Sequence, residues 1–460
     1  MSYPPTTFCG MTNAVQSLSY LAPSALHDGG LQLQTAGGVA QRAATANPRF
    51  FTGFLTTPAA AAAGLLAVAE VARTRYFQPL SPASLDPVVT GSRDRLRFES
   101  FSGCCGVYAR LDVLPAGLDG DIVDHGTTNV DVNAPLRQAL QRLAGADPLH
   151  VSVGPEDLTV STMDGAVVEK KVPLPARWLR GFAEVQVIAS GFDPRAELSA
   201  ADATTFLRRL PAGGDRSVLW AVPAGRSLRL TSRPAPGAVC LPGPGRLAAL
   251  KPVLRHARSL RVYGPPVTAG SGPVSSTWEL DTGELRLSLT LSPQPSRGFS
   301  GEGAVLAALA GDDVTDDAEV ISTLLAWDPT VDVDALAEQA AMPAARVRAA
   351  LTQLGTAGQV GFDVSEAAYF HRVLPYDAQR AERHNPRLVG ARALVETGAV
   401  SLDATGATVR SGEEVYRVRD TGDALHCTCP WWAKYRGGRG PCKHALATEL
   451  ARAAAPAVAR

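Results

Sequence analysis

Three of the chain's seven cysteines and two of its eight histidines fall within HCTCPWWAKYRGGRGPCKHALA, residues 426–447. Cys427 and Cys429 are one residue apart, twelve residues follow, and Cys442 and His444 are again one residue apart. Alternate side chains of an extended strand share a face, so a Cys-x-Cys pair presents both sulfurs the same way. Cys442 and His444 open CKHALATELARA, which reads as a final helix. Two such pairs joined by a loop supply the four soft-to-borderline ligands that Zn2+ takes in a tetrahedron. Three thiolates and an imidazole close the shell and leave no position for a reactive water, which is the pattern of a structural ion. The competing reading is a set of buried thiols beside a surface histidine; it requires both one-residue gaps to arise by accident. His426 adjoins Cys427 but falls on the opposite face of the strand, so it stays outside the ligand set.

The pattern C-x-C-x12-C-x-H, with the strand-like runs EVYRVRD and ALHC ahead of it and a helix behind, resembles the SWIM-type zinc finger. The resemblance covers roughly the last fifty residues. It implies that Cys427, Cys429, Cys442 and His444 hold Zn2+ in a small ββα-type module. It also implies a module that binds DNA or other proteins. Family members occur beside helicases, transposases and kinases, and bacterial members often carry no enzymatic domain. Nothing in this chain resembles a helicase motor.

Between the ligand pairs lies PWWAKYRGGRGP. Lys434, Arg436, Arg439 and Lys443 occupy a stretch without an acidic residue, interleaved with Trp431, Trp432 and Tyr435. Exposed cations beside aromatic rings suit phosphate tracking and base stacking. Alternatively, Trp431 or Trp432 covers the metal site as part of a small core and the glycines merely loosen the loop. The expected binding set is Trp432, Lys434, Tyr435, Arg436, Arg439 and Lys443. Nucleic acid, with DNA the expected polymer, and a protein partner, such as a separately encoded ATPase, both remain open.

The rest of the chain bounds these readings. At 460 residues it should hold about two to four domains. It carries 44 basic and 44 acidic residues, so any nucleic-acid contact must be local rather than spread over the surface. The N-terminus lacks the basic and apolar regions of a secretory signal. The most apolar run, residues 58–72, is too short for a bilayer and is interrupted by Glu70, so it reads as a buried helix and no membrane partner is expected. Cys9, Cys104, Cys105 and Cys240 form no disulfide framework, and a cytoplasmic protein is expected.

The fold class expected is α+β and multidomain. Residues 1–90 read as an N-terminal helical or irregular region. Residues 91–295 read as an α+β domain in which a helix followed by three strands recurs, first at NAPLRQALQRL with LHVSV, LTVST and AVVEKKV. The second copy is SAADATTFLRRL with RSVLWAV, RSLRLTS and GAVCL; the third is GRLAALKPVLRHA with SLRVYG, STWELD and ELRLSLTL. This order of elements resembles the lobes of DNA sliding clamps. Residues 299–373 read as a winged-helix-like domain: Leu336, Ala337 and Ala340 mark one helix, MP a turn, Val347, Ala350, Leu351 and Leu354 a second helix, and GTAGQVGFDV the start of a wing. Residues 301–372 hold twelve acidic side chains against three basic ones, which phosphates would repel. This module is therefore expected to pack on the rest of the chain or to bind a protein. Residues 376–460 read as a helix followed by the finger.

No enzyme is expected and no catalytic residue is nominated. Asp119, Asp121, Asp124 and His125 read as a polar turn without a second cluster to complete a cation site. Cys104 and Cys105 read as small residues filling a strand. Ser300 lacks both the strand–elbow–helix frame of a hydrolase nucleophile and a histidine partner. No phosphate-cradling glycine loop of the Walker type is present.

Overall fold

Alternation with period two builds the largest sheet and gives each of its faces a role. In the computed structural model eight antiparallel strands run in the spatial order Gly126–Asn129, Val88–Ser92, Arg95–Phe101, Val107–Val113, Leu285–Leu291, Ser276–Asp281, Ser259–Gly264 and Asp193–Ser199. Leu96, Phe98, Ala109, Leu111, Leu287 and Leu289 point to one face and pack with the alanine-rich helix Pro58–Arg73. The intervening positions, Arg97, Glu99, Arg110, Asp112 and Arg286, point to the other and are also buried. The structure describes residues 49–77, 87–145, 147–172, 174–211, 217–306, 313–374, 386–422 and 424–454, together with short strand fragments between residues 19 and 44.

The three helix–strand copies do not form three equivalent layers. Strands of the first copy join a five-stranded sheet through Phe51–Leu55, which pairs with both Leu118–Ile122 and His150–Val153. Strand 51–55 and the helix after it thus belong to the α+β body, which begins ahead of residue 91. Strands of the second copy make a separate three-stranded sheet, and those of the third enter the eight-stranded one. The helix of the third copy is a 3-10 element, Pro244–His256, with Pro252 inside it. Two further expectations change. Cys104 and Cys105 sit in the tight connection between Arg95–Phe101 and Val107–Val113, with Cys105 at φ 56°, not within a strand. Asp119 and Asp121 lie in the edge strand Leu118–Ile122, and His125 stacks on Trp327 at 4.8 Å. Cys9 and the N-terminal sixteen residues lie outside the described residues.

The winged-helix segment consists of Asp313–Leu324, Val333–Ala340 and Ala344–Thr356, followed by the hairpin Val360–Asp363 and Ala368–His371. Asp332 caps the second helix by accepting from the N–H groups of Asp334 and Ala335. Its wing is inserted against the charged face of the eight-stranded sheet. Asp363 at the wing tip accepts from Arg110 at 2.8 Å and Arg286 at 3.0 Å, and lies 3.6 Å from Arg97. Arg110 also donates to the Phe362 carbonyl, Arg286 reaches Glu366, Ser365 donates to Glu279, and Arg372 returns to Glu99 at 2.6 Å. The helix Ala344–Thr356 packs its C-terminal half on the helix Ala176–Ala189, where Gly355 leaves room for the Gln186 amide. The acidic module is therefore built into the body, its wing covered.

The last unit is a four-stranded antiparallel sheet, Val400–Asp403, Gly406–Ser411, Glu414–Asp420 and Leu425–Cys427, covered on one face by the helix Lys443–Ala454 and flanked by the helix Pro386–Glu396.

Candidate metal centre and nucleic-acid interface

Cys427 ends the last strand with its side chain on the helix-facing side, opposite Val418. Cys429 then caps the short helix Pro430–Tyr435, its sulfur accepting from the Trp432 N–H at 3.4 Å. Cys442 precedes the final helix, and its sulfur accepts from the Ala445 N–H at 3.4 Å. Two of the sulfurs thus stand at helix N-termini, where free N–H groups favour the thiolate. His444, in the first turn of the final helix, brings Nδ1 to 3.7 Å from the Cys427 sulfur, and its ring stacks on Tyr416 at 4.3 Å.

The four ligand atoms lie within 4.8 Å of one another and all four residues are buried. A tetrahedral metal with bonds of about 2.3 Å to sulfur and 2.0–2.1 Å to nitrogen requires a sulfur–nitrogen separation of roughly 3.6 Å, close to that found between Cys427 and His444. Proton sharing points the same way. The hydrogen bond with Cys427 lowers the Cys442 thiol to about 4, and the same bond, with burial, drives the Cys427 thiol far upward. A divalent cation removes that competition by holding all three sulfurs as thiolates. Of the described residues, no other group of three or more His, Cys, Asp and Glu side chains converges in this way.

The loop between the ligand pairs divides. Lys434 and Arg436 are exposed, and Arg436 takes a left-handed conformation that ends the short helix. Arg439 turns inward: its guanidinium donates to the Gly301 carbonyl and stands 5.4 Å from the Trp431 ring and 5.1 Å from the Tyr435 ring. Lys443 is half-buried and donates to Ser411 Oγ at 2.8 Å. These two of the four expected exposed cations are thus engaged within the molecule. Both tryptophans are half-buried against the ligand cluster, Trp432 with its ring 4.9 Å from that of His426. Tyr435 lies half-buried against Trp431 at 4.4 Å. His426 points to the exposed face, away from the sulfurs.

Arg387 is the organising residue that the sequence reading missed. It donates to the carbonyls of Arg439 at 2.6 Å, Pro441 at 3.1 Å and Glu302 at 3.1 Å, and covers Trp431 at 4.6 Å. Its signal was its place: a cation in the first turn of Pro386–Glu396 opposes the helix dipole unless partners outside the helix hold it. The segment it grips is fixed from the other side by Glu184, whose carboxylate accepts from the N–H groups of Gly303 and Ala304, both at 2.6 Å. The finger is thus tied through residues 301–304 to the body.

Burial raises the Glu184 carboxyl to about 7 despite these donors. A carboxyl with a raised folded-state pKa contributes stability that is full below its unfolded value, about 4.5, and is lost as pH rises through about 7. The Glu184→Gln variant lacks this dependence. In thermal melts the advantage of the unaltered protein over the variant should be larger at pH 5 than at pH 8, by up to about 3 kcal/mol. A difference independent of pH would contradict the assignment.

A model of the SWIM zinc finger family matches residues 421–453. A model of the DprA winged helix domain matches residues 304–361. The C-terminal unit is a SWIM zinc finger with a metal-binding Cys3His cluster, attached to a chain that also holds a winged helix. No curated protein matches the chain. Among solved structures, Proliferating Cellular Nuclear Antigen from Entamoeba histolytica is similar over 54% of this chain and 100% of its own, at 10% identity and a TM-score of 0.35. The PCNA of A. fulgidus, bound to the C-terminal region of FEN-1, is similar over 53% and 98%, at 11% identity and a TM-score of 0.34. The PCNA2–PCNA3 complex from Sulfolobus tokodaii is similar over 53% and 100%, at 8% identity and a TM-score of 0.37. No helix among the described residues is long and apolar enough to cross a membrane.

Proposed function

We propose that this is a non-enzymatic, zinc-binding protein whose SWIM finger contacts nucleic acid, DNA being the expected polymer. The ion is Zn2+, held by Cys427, Cys429, Cys442 and His444, and its role is to fold the finger. The observation that carries the DNA reading is the division of charge between the two modules that could touch DNA. The winged helix is acidic and its wing is covered, whereas the finger leaves Lys434 and Arg436 exposed beside Trp432 and Tyr435. Phosphate neutralisation by side chains such as these supplies most non-specific affinity. Arg439 and Lys443 then support the loop from within. A second reading, docking to a protein such as a separately encoded ATPase, draws on the family resemblance and on the acidic exposed surface of the winged helix.

Fluorescence anisotropy with labelled DNA separates the two. Binding should weaken steeply between 50 and 200 mM salt, and Lys434→Ala with Arg436→Ala should weaken it about tenfold and flatten the salt dependence. No DNA binding at low salt would favour the protein-docking reading.

A further inference from the structure

The finger's sheet has two faces, and only one is used by the metal centre. Ala407, Val409, Tyr416, Val418 and Cys427 point inward under the final helix. Alternation places Thr408 and Arg410, then Val415, Arg417 and Arg419, then His426 on the outer face, which is solvent-exposed at each of these positions except the half-buried Thr408. Cross-strand register aligns them. Arg419 stands opposite His426, whose ring lies 4.9 Å from that of Trp432. Arg417 stands opposite Thr408, and Arg410 opposite Val415. Gly406, opposite Arg419 on its other side, leaves the surface low beside that guanidinium.

The charge of this face is one-sided. Asp403 is the carboxylate on it, and that group already bonds Thr405 and lies 3.2 Å from Arg417. The guanidinium groups of Arg410 and Arg419 have no hydrogen-bond or ion-pair partner among the described residues. Two unneutralised guanidinium groups, a row running Arg419–His426–Trp432 and, among the described residues of the face, a single carboxylate that is already paired call for an occupant that is anionic and carries flat rings.

We infer that the outer face of the finger's sheet is a platform for single-stranded DNA, with phosphates on Arg410, Arg417 and Arg419 and a base against His426 and Trp432. This deepens, and rests on, the DNA reading above. The strand count decides single strand over duplex. Four strands spaced about 4.8 Å apart place the outer two about 14 Å from each other before side chains are added. The major groove, about 12 Å wide, admits a helix or a two-stranded ribbon, which is narrower than this sheet. An unpaired strand can lie across such a surface and turn about two or three bases onto its rings.

The test compares the full-length, zinc-loaded protein with two variants, Arg410→Ala/Arg419→Ala and His426→Ala. All three altered side chains are exposed and lie outside the core, and an unchanged zinc content and melting temperature establish that the finger stays folded. Anisotropy is read with a mixed-sequence 20-nucleotide single-stranded DNA, the duplex and RNA of the same sequence, and polyglutamate as competitor. Single-stranded DNA should bind at least tenfold more tightly than the duplex. The double variant should weaken it at least tenfold and reduce the salt slope by about 1.4, since each phosphate contact on a single strand contributes about 0.7. The His426→Ala variant should weaken it about fivefold or more. Duplex or RNA preference, equal displacement by polyglutamate, or binding indifferent to Arg410 and Arg419 but lost with Lys434 and Arg436 would overturn this inference and leave the DNA reading standing. No binding to any of the DNA probes would instead overturn the reading on which it rests.

Discussion

Replacing Cys427 or Cys442 with serine is expected to abolish metal binding and unfold the finger, with the α+β body left intact. Structural zinc sites hold about 10–16 kcal/mol of apparent binding free energy at neutral pH in isolated fingers. A whole domain is ordinarily stable by about 5–15 kcal/mol, so the metal dominates the stability of a unit this small. The finger's own core is limited: Ala407, Val409, Val418 and Ala445 are the buried aliphatic side chains clustered with the thiols, while Leu446 and Ala447 of the final helix are buried against Leu388 and Ala391. Elemental analysis should find one zinc per unaltered chain and none in either variant. Hydrogen exchange should show the amides of residues 406–427 and 443–454 losing protection while those of residues 95–113 and 285–291 keep it. A metal-free variant with protected finger amides would contradict the role given to the ion.

The next largest effect should come from the wing. Asp363→Ala removes the carboxylate shared by Arg97, Arg110 and Arg286, leaving Asp112 to neutralise Arg97 and Arg110 and the half-exposed Glu366 as the nearer partner of Arg286. Breaking a buried pair by deleting one partner costs about 3–5 kcal/mol, because the charges left behind remain desolvated. Denaturant unfolding should show a loss of that order, or an early transition in which the wing detaches before the sheet unfolds. The pH dependence has a defined sign. Burial by itself raises the Asp363 carboxyl, but Arg110, Arg286 and Arg97 outweigh it and hold it well below the usual carboxylate range. Its contribution is therefore fully present above an unfolded value of about 3.9 and is lost as pH falls further. Asp363→Asn should lose stability at neutral pH and approach the unaltered protein in strong acid. Equal stability of the two at pH 7 would remove Asp363 from this role.

The ligand quartet was legible because metal chemistry needs few residue types at short spacing, and Cys427, Cys429, Cys442 and His444 are close in sequence as well as in space. The helix–turn–helix was legible from the apolar period of Leu336, Val347, Leu351 and Leu354. The charged face of the large sheet was not. In RLRFESF, VYARLDV and LRLSLTL the alternation of apolar and charged residues reads as a half-solvated sheet, and nothing local reveals that a wing more than seventy residues away covers the charged half. The excess of acid over base in residues 301–372 hinted at docking, since some of those carboxylates meet arginines of the body. The inward turn of Arg439 and Lys443 was hidden for the same reason: a flexible cation in a glycine-rich loop finds its partners by tertiary contact, here with Gly301 and Ser411. The recurring order of elements did not by itself specify which sheet each strand joins or the 3-10 form of residues 244–256.

If the metal-folded finger is what touches DNA, binding must depend on the ion. DNA binding and zinc content can be measured together while the metal is withdrawn by a chelator and then restored. Affinity should fall in step with bound zinc, reach the background level when the metal is gone, and return when Zn2+ is added back. Binding of undiminished affinity by the metal-free chain would contradict this dependence.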